Sequence, residues 1–234
     1  MLIIILVIIF LLFFKYIISN HLHIDFASLF RRGFAKKDDK FGLYCYTGVQ
    51  GEGKTYSAVK FVNRLVNEHN YICITNVKSY KAFSNTIYMY DILDVIKYVI
   101  EHHDKDNKKY IIFFDEIFTV LMKSRAVNQD ILAFLAQLRK RGIILVTTAQ
   151  YWSEIPISFR RFCRFQISCH MFALPFSRTA FTINKVNDGY NARWNNDTQD
   201  FEAPVVQTNF AKAEKRIIED YDTYETIKVT NKKY

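Results

Sequence analysis

Proline, glycine and cysteine are all scarce in this chain, and each shortage excludes something. Three prolines and seven glycines among 234 residues argue against a disordered linker protein, which is rich in such residues. The four cysteines, Cys45, Cys73, Cys163 and Cys169, fit no zinc-ligand spacing. Each stands in an apolar, strand-like run, which predicts free buried thiols in a reducing compartment. Histidine offers no metal site either. His102 and His103 are adjacent in a charged loop, His21 and His23 follow an apolar run, and none has acidic neighbours at ligand spacing. Internal repeats and low-complexity tracts are missing as well.

What the chain has in quantity is apolar and basic. Half its residues are hydrophobic and 16% are aromatic, enough for the core of one α/β domain with appendages. The net charge of +9 suits a polyanionic partner, nucleic acid or an anionic membrane. Residues 1–14 carry no charged or polar side chain. After Lys15, Tyr16-Ile17-Ile18 extends this run to about 18 residues, a length that can span a bilayer. No small-residue cleavage site follows, so residues 1–18 read as a retained transmembrane anchor rather than a removed signal peptide. The alternative is a helix buried against another protein. Six Lys/Arg against three Asp over residues 15–40 put this flank on the cytoplasmic side, with the N-terminus outside. Residues 19–40 read as a basic juxtamembrane connector. Leu22, Ile24, Phe26, Leu29 and Phe30 could form amphipathic turns there, ahead of Arg31, Arg32, Lys36 and Lys37.

The stretch that organises the rest is Gly48-Val49-Gln50-Gly51-Glu52-Gly53-Lys54-Thr55. It follows the apolar run of residues 41–46 and opens a segment with Ala58, Phe61, Val62, Leu65 and Val66 at helical spacing. A strand, a glycine turn ending in Gly-Lys-Thr and a helix make a P-loop. Glycines let backbone N–H groups wrap a phosphate, with the positive end of the helix behind them. Lys54 can reach the β- and γ-phosphates, and the Thr55 hydroxyl can ligate Mg²⁺; the predicted ATP-binding set runs on through Tyr56. A glycine turn without a ligand is the plainer reading, and the strand and helix flanks argue against it.

Strand-like and helical segments then alternate. Residues 71–76 and 86–90 read as strands, the second a short edge strand, and 92–102 as a helix. A polar loop spans 101–109. Tyr110-Ile111-Ile112-Phe113-Phe114 is apolar without interruption, as in a parallel strand covered on both faces. It ends in Asp115-Glu116. A helix over 128–141 is stopped by Gly142, and a buried strand over 143–148 leads to Gln150. This order predicts a mainly parallel, doubly wound sheet. Beyond Ser153, residues 160–171 and 179–186 read as strands of an antiparallel extension, with Gly189 in a turn. The P-loop domain is expected over residues 41–210 and a charged tail over 211–234.

In a parallel sheet the carboxyl ends of the strands converge on one edge, so Asp115 and Glu116 can face the P-loop. Asp115 would hold the Mg²⁺ shell and Glu116 would polarise the attacking water. Gln150, at the end of the next strand, can sense the γ-phosphate or orient water. Arg139 and Arg141 close a helix, where basic residues are favourable for dipole reasons alone. Arg160, with Arg161 and Arg164, can face DNA or reach a neighbour's nucleotide. A trans-acting role is open to Arg139, Arg141 and Arg160.

A glutamate directly after the strand aspartate marks the additional-strand class of P-loop ATPases. The run Leu138-Arg139-Lys140-Arg141-Gly142-Ile143-Ile144-Leu145, then Thr148-Ala149-Gln150, then Ile155-Pro156 resembles the FtsK–HerA superfamily. In size and layout it is most similar to the genome-packaging ATPases of membrane-containing double-stranded DNA viruses with double-jelly-roll capsids. Residues 41–171 carry the resemblance, and Tyr221-Asp222-Thr223-Tyr224-Glu225 adds a weaker match. It implies a RecA-like core with helices on both faces of the sheet, ATP-driven translocation of double-stranded DNA without sequence specificity, and a homo-oligomeric ring with sites at subunit interfaces. Capsid or portal-vertex proteins and a virion internal membrane are further implied partners. The N-terminal apolar run departs from many members of that group. The sequence also resembles the Zot-like ATPases of filamentous phages, which join a P-loop domain to one membrane segment, usually placed after it. A third reading is a membrane-attached nucleotide switch that organises assembly without moving DNA.

Overall fold

The computed structural model describes residues 2–19, 22–24, 41–80, 86–106, 109–117, 129–174, 179–197 and 200–222. In chain order they form α1 (Leu2–Ser19), β1 (Leu22–Ile24), β2 (Gly42–Thr47), α2 (Lys54–His69), β3 (Ile72–Thr75), β4 (Thr86–Tyr88) and α3 (Ile92–Asp106). There follow β5 (Tyr110–Phe114), α4 (Gln129–Arg141), β6 (Ile144–Ala149), a helical turn α5 (Ile157–Arg160), β7 (Cys163–Ala173) and β8 (Ala180–Asp188). A small hairpin of β9 (Arg193–Asn195) and β10 (Asp200–Glu202), then β11 (Val205–Lys212) and α6 (Lys215–Glu219), complete the described chain.

One sheet of nine strands runs in the order β1-β11-β8-β7-β2-β6-β5-β3-β4. From β7 to β4 every neighbouring pair is parallel, whereas β8 pairs antiparallel with both β7 and β11. Alternating side chains divide between two cores. Leu43, Cys45, Ile112, Phe114 and Leu145 pack with α3 and α4 on one face. Tyr44, Tyr46, Ile111, Phe113 and Val146 pack with α2 and α6 on the other. A strand covered on both sides has no polar face, which is why β5 reads as an unbroken apolar run. β6 lies between β2 and β5, so an extra strand separates the P-loop strand from the one ending in Asp115. This is an α/β, RecA-like P-loop fold, mostly parallel with an antiparallel extension. Gly142 ends α4 as expected: at φ 61° it is left-handed, its N–H donates to Arg139 O and that of Ile143 to Leu138 O, the Schellman pattern that favours glycine.

Several expectations need correction. Residues 2–19 form the helix α1, with Ile5 to Phe14 exposed in unbroken succession and hence on all sides. Its 18 residues extend about 27 Å, short of a hydrocarbon core of roughly 30 Å. Among the described residues no helix is long and apolar enough to cross a membrane. The expected transmembrane anchor is therefore replaced by an exposed apolar helix. Leu22–Ile24 is not an amphipathic turn but a strand beside β11; the remainder of the connector, with Arg31, Arg32, Lys36 and Lys37, lies outside the described residues. The polar segment after residue 101 continues α3 to Asp106. The strand expected from residue 160 begins at Cys163, and Arg160 instead closes the helical turn Ile157–Arg160, for which Pro156 supplies the fixed φ of a helix start. The boundary expected at residue 210 falls inside β11, and beyond it Ile217 and Tyr221 are buried in the core with α2. The tail from residue 223 onward lies outside the described residues.

Candidate active site

β2 delivers its carboxyl end to a loop that is possible only with glycine at key positions. Gly51 and Gly53 have φ of 88° and 73°, in the region that side chains avoid. Gly48 is excluded from substitution by contact as well: a Cβ there would lie 2.8 Å from the carbonyl oxygen of Cys169 on β7. The loop is tied to the sheet by Gly48 N–H donating to Gln150 O at 3.2 Å, and closed on itself by Glu52 N–H donating to Val49 O at 3.2 Å. α2 starts at Lys54 with no acidic side chain in its first turn. Its N-terminal N–H groups and positive dipole end therefore face whatever the loop encloses. Lys54 Nζ donates to Val49 O at 3.1 Å across the loop, within reach of an anion seated there. Val49 and Gln50 form the exposed tip. Tyr56 contributes only backbone, since its side chain is buried and its hydroxyl accepts from Glu214 N–H at 2.8 Å.

Opposite the loop, the ends of three strands converge on Asp115. Thr55 Oγ1, from the first turn of α2, lies 3.3 and 3.4 Å from the two carboxylate oxygens. Thr148, from β6, donates its hydroxyl to Oδ1 at 2.5 Å, and that same hydroxyl accepts Glu116 N–H at 2.9 Å. Asn76, at the end of β3, holds the Asp115 backbone in both directions: its Oδ1 accepts Asp115 N–H and its Nδ2 donates to Asp115 O, each at 2.9 Å. Asn76 and Thr148 are nearly inaccessible. Neither role was read from the sequence, though a buried polar residue closing an apolar strand is the signal that could have shown it.

Electrostatics and strain mark the same place. Burial raises the Asp115 carboxyl to about 6; hydrogen bonds from Thr148 and Thr55 and the charge of Lys54 oppose that rise, and the neighbouring Glu116 adds to it. A crowded carboxylate beside a threonine hydroxyl is an all-oxygen donor set suited to Mg²⁺, which takes one or two protein oxygens together with phosphate oxygens. Thr55 and Asp115 would hold it. Glu116 has φ 49°, a left-handed conformation uncommon outside glycine and worth roughly 1–3 kcal/mol of strain. The turn aims its side chain differently from that of Asp115, which permits separate tasks.

The remaining candidates are dispersed. Gln150 follows β6 at the same sheet edge, exposed and hydrogen-bonded through its carbonyl to Gly48. Arg139 lies over the Phe41 ring at 5.9 Å, and Arg141 Nε donates to Gln137 at 3.3 Å. Both are at the amino-terminal edge, the length of β2 or about 20 Å from the loop, so neither serves this chain's own site. Arg160 is 8% exposed; its Nε donates to Ile155 O at 2.6 Å and its Nη2 to Ser153 O at 2.7 Å. It fastens the segment before β7 and does not project toward a neighbour. Arg164 likewise donates to Phe41 O at 2.7 Å. The expectation that Arg160 presents itself to DNA is corrected accordingly, whereas Arg161 is exposed and Arg164 half-buried. All four cysteines are free and buried, and among the described residues no group of three His, Cys, Asp or Glu side chains can hold a metal.

Comparison with known proteins fits this geometry. The profile described as "ATPase family associated with various cellular activities (AAA)" matches residues 44–172, more than half the chain. No curated protein sequence matches. Among solved structures, the genome packaging NTPase B204 of Sulfolobus turreted icosahedral virus 2, in complex with ATP-gammaS, superposes with a TM-score of 0.50 at 13% identity, covering 69% of this chain and 95% of that one. The N-terminal domain of zonular occludens toxin from Neisseria meningitidis gives a TM-score of 0.48 at 15% identity, covering 77% and 98%. A KaiC-like protein from Pyrococcus horikoshii gives 0.45 at 10% identity, covering 70% and 82%. At 13% identity the likeness to the packaging NTPase speaks for the fold alone.

Proposed function

The chain belongs to the ATPase family associated with various cellular activities, and from that premise we propose that it is an FtsK–HerA-type motor that translocates double-stranded DNA, packaging a viral genome into a membrane-containing capsid. The observation that carries the ATPase part is the meeting of Thr55, Asp115 and Thr148 beside the glycine loop, with Glu116 held at the next position. The loop N–H groups and Lys54 bind the phosphates. Thr55 and Asp115 would hold Mg²⁺, which when bound would supply charge neutralisation at the phosphates. Glu116 takes the proton of the attacking water, and Gln150 orients that water. In a homo-oligomeric ring, Arg139 or Arg141 serves a neighbour's site.

Support for DNA comes from the opposite edge of the sheet. Arg139 and Arg164 flank Phe41 at 5.9 and 5.1 Å, Lys109 lies 5.8 Å over Tyr71, and Arg141 adjoins the start of β6. These four cations lie at the amino-terminal ends of β7, β2, β6 and β5. A group of that kind suits a phosphate backbone and predicts steep salt dependence with little sequence preference. The deciding experiment measures ATP turnover with and without duplex DNA, alongside Lys54→Ala. Stimulation by DNA, and loss of ATP binding in the variant, are expected. Turnover indifferent to DNA favours the nucleotide-switch scaffold instead. Unchanged ATP affinity in Lys54→Ala removes the site.

The exposed apolar helix α1 favours a second reading, a Zot-like ATPase of filamentous-phage assembly attached to a membrane with its ATPase domain in the cytoplasm. Neighbouring genes decide between the two. A double-jelly-roll capsid protein supports packaging, and a small helical coat protein supports filamentous export.

A further inference from the structure

β7 outruns its partner. β2 ends at Thr47, opposite Ser168, while β7 continues to Ala173 paired only with β8. The overhanging residues lie along the glycine loop: the carbonyl of Cys169 packs on Gly48 and the side chain of Met171 on Gly53. Between them His170 reaches the loop itself, its Nδ1 lying 2.5 Å from Glu52 Oε2.

Glu52 is an awkward residue for its position. The loop's task is to attract a polyanion with N–H groups, a helix dipole and one lysine, and a carboxylate two residues before Lys54 opposes all three. Lys54 does not offset it, since its ammonium is turned to Val49 O. The side chain that meets the Glu52 carboxylate among the described residues is His170, contributed by a distant part of the chain. Lys185 stands on the adjoining β8, opposite Ser168 rather than His170. We propose that His170 is a positioning residue for the nucleotide: its hydrogen bond to Glu52 holds that carboxylate away from the phosphates, so that the loop N–H groups and Lys54 meet them unopposed. This rests on the reading of the loop as a nucleotide site, and it adds a residue that no P-loop pattern contains.

The test is a charge-rescue cycle on the full chain, measuring ATP affinity and steady-state kinetics for His170→Ala, Glu52→Gln, the double variant and His170→Lys. His170 is 56% exposed and Glu52 24%, so the effect is that of a solvent-screened pair, about two- to fivefold. His170→Ala should raise KM for ATP by that factor with kcat nearly unchanged, because the groups around Asp115 are untouched. Adding Glu52→Gln should restore the parental KM, and His170→Lys should keep it. A purely structural clasp would not be rescued by removing its other half. If the double variant binds ATP as poorly as His170→Ala, or His170→Ala binds like the parent, the proposal is overturned. A parent protein that binds no ATP overturns the nucleotide site together with it. Should His170→Ala fail to fold, Glu52→Gln and His170→Lys still decide: both must bind ATP at least as well as the parent.

Discussion

Replacing Asp115 by asparagine should make the nucleotide-free protein more stable while removing its metal-dependent function. The carboxyl is raised from 3.8 to about 6, so the folded state holds a proton more tightly than the unfolded chain. With a raised folded value, the group's favourable contribution is complete below about pH 4 and is lost as pH rises through about 6. At pH 7.5 the protein therefore carries an ionised, crowded carboxylate at a cost of about 3 kcal/mol, two units or slightly more at 1.36 kcal/mol each. Asparagine removes the charge and keeps an oxygen for the Thr148 hydroxyl, although it places an amide hydrogen-bond donor near Thr55. A net gain of about 1–3 kcal/mol at pH 7.5, shrinking toward zero near pH 4.5, is expected. Urea unfolding followed through Trp152 and Trp194, with calorimetry for Mg²⁺–ATP binding, measures both halves. A variant less stable than the parent at pH 7.5, or a gain independent of pH, would refute the idea that Asp115 is held at a cost. Retained Mg²⁺-dependent ATP affinity would refute its assignment to the metal.

Glu116→Gln should bind ATP and slow the chemical step by about 10²–10⁴-fold, the usual effect of losing a general base; a single-turnover assay at the parental rate would move the water-activating role elsewhere. Arg160→Ala should cost about 1–3 kcal/mol of stability, because the buried carbonyl of Ile155 loses a charged donor, with a smaller loss at the more exposed carbonyl of Ser153, whereas Arg139→Ala should unfold like the parent. If Arg139 serves a neighbour, mixing Arg139→Ala with active subunits should depress turnover more than in proportion to its fraction. Asn76→Ala should lower kcat and destabilise by about 1–3 kcal/mol through the unsatisfied Asp115 backbone groups, measurable by thermal unfolding beside steady-state kinetics.

Much of this was legible in the sequence because it is periodic or short-range. The glycine loop, the apolar run of β5 and its acidic end, and the helical spacing of α2 and α4 are local patterns, and the structure keeps them. What escaped is decided by partners far along the chain. Asn76 reads as the polar end of a strand, and only the pairing of β3 with β5 gives its amide the Asp115 backbone to bind. Arg160 and Arg139 look alike in sequence; one is folded over its own loop and the other sits at an open helix end. Ile217 and Tyr221 are apolar positions among charges, one in a helix too short to show a period and the other just past its end, so their burial in the core with α2 left no trace. Overall apolarity of residues 1–18 was plain, but whether such a run crosses a bilayer turns on a few ångströms of length.

β2 has the glycine loop at one end and Phe41, flanked by Arg139 and Arg164, at the other. It is hydrogen-bonded on both sides, to β6 and β7, and a strand so held neither stretches nor buckles. A displacement of the loop is therefore passed along β2 toward the far edge rather than absorbed within the strand. On the proposed motor reading, such a rod would carry the state of the nucleotide to the Phe41 edge without a flexible arm.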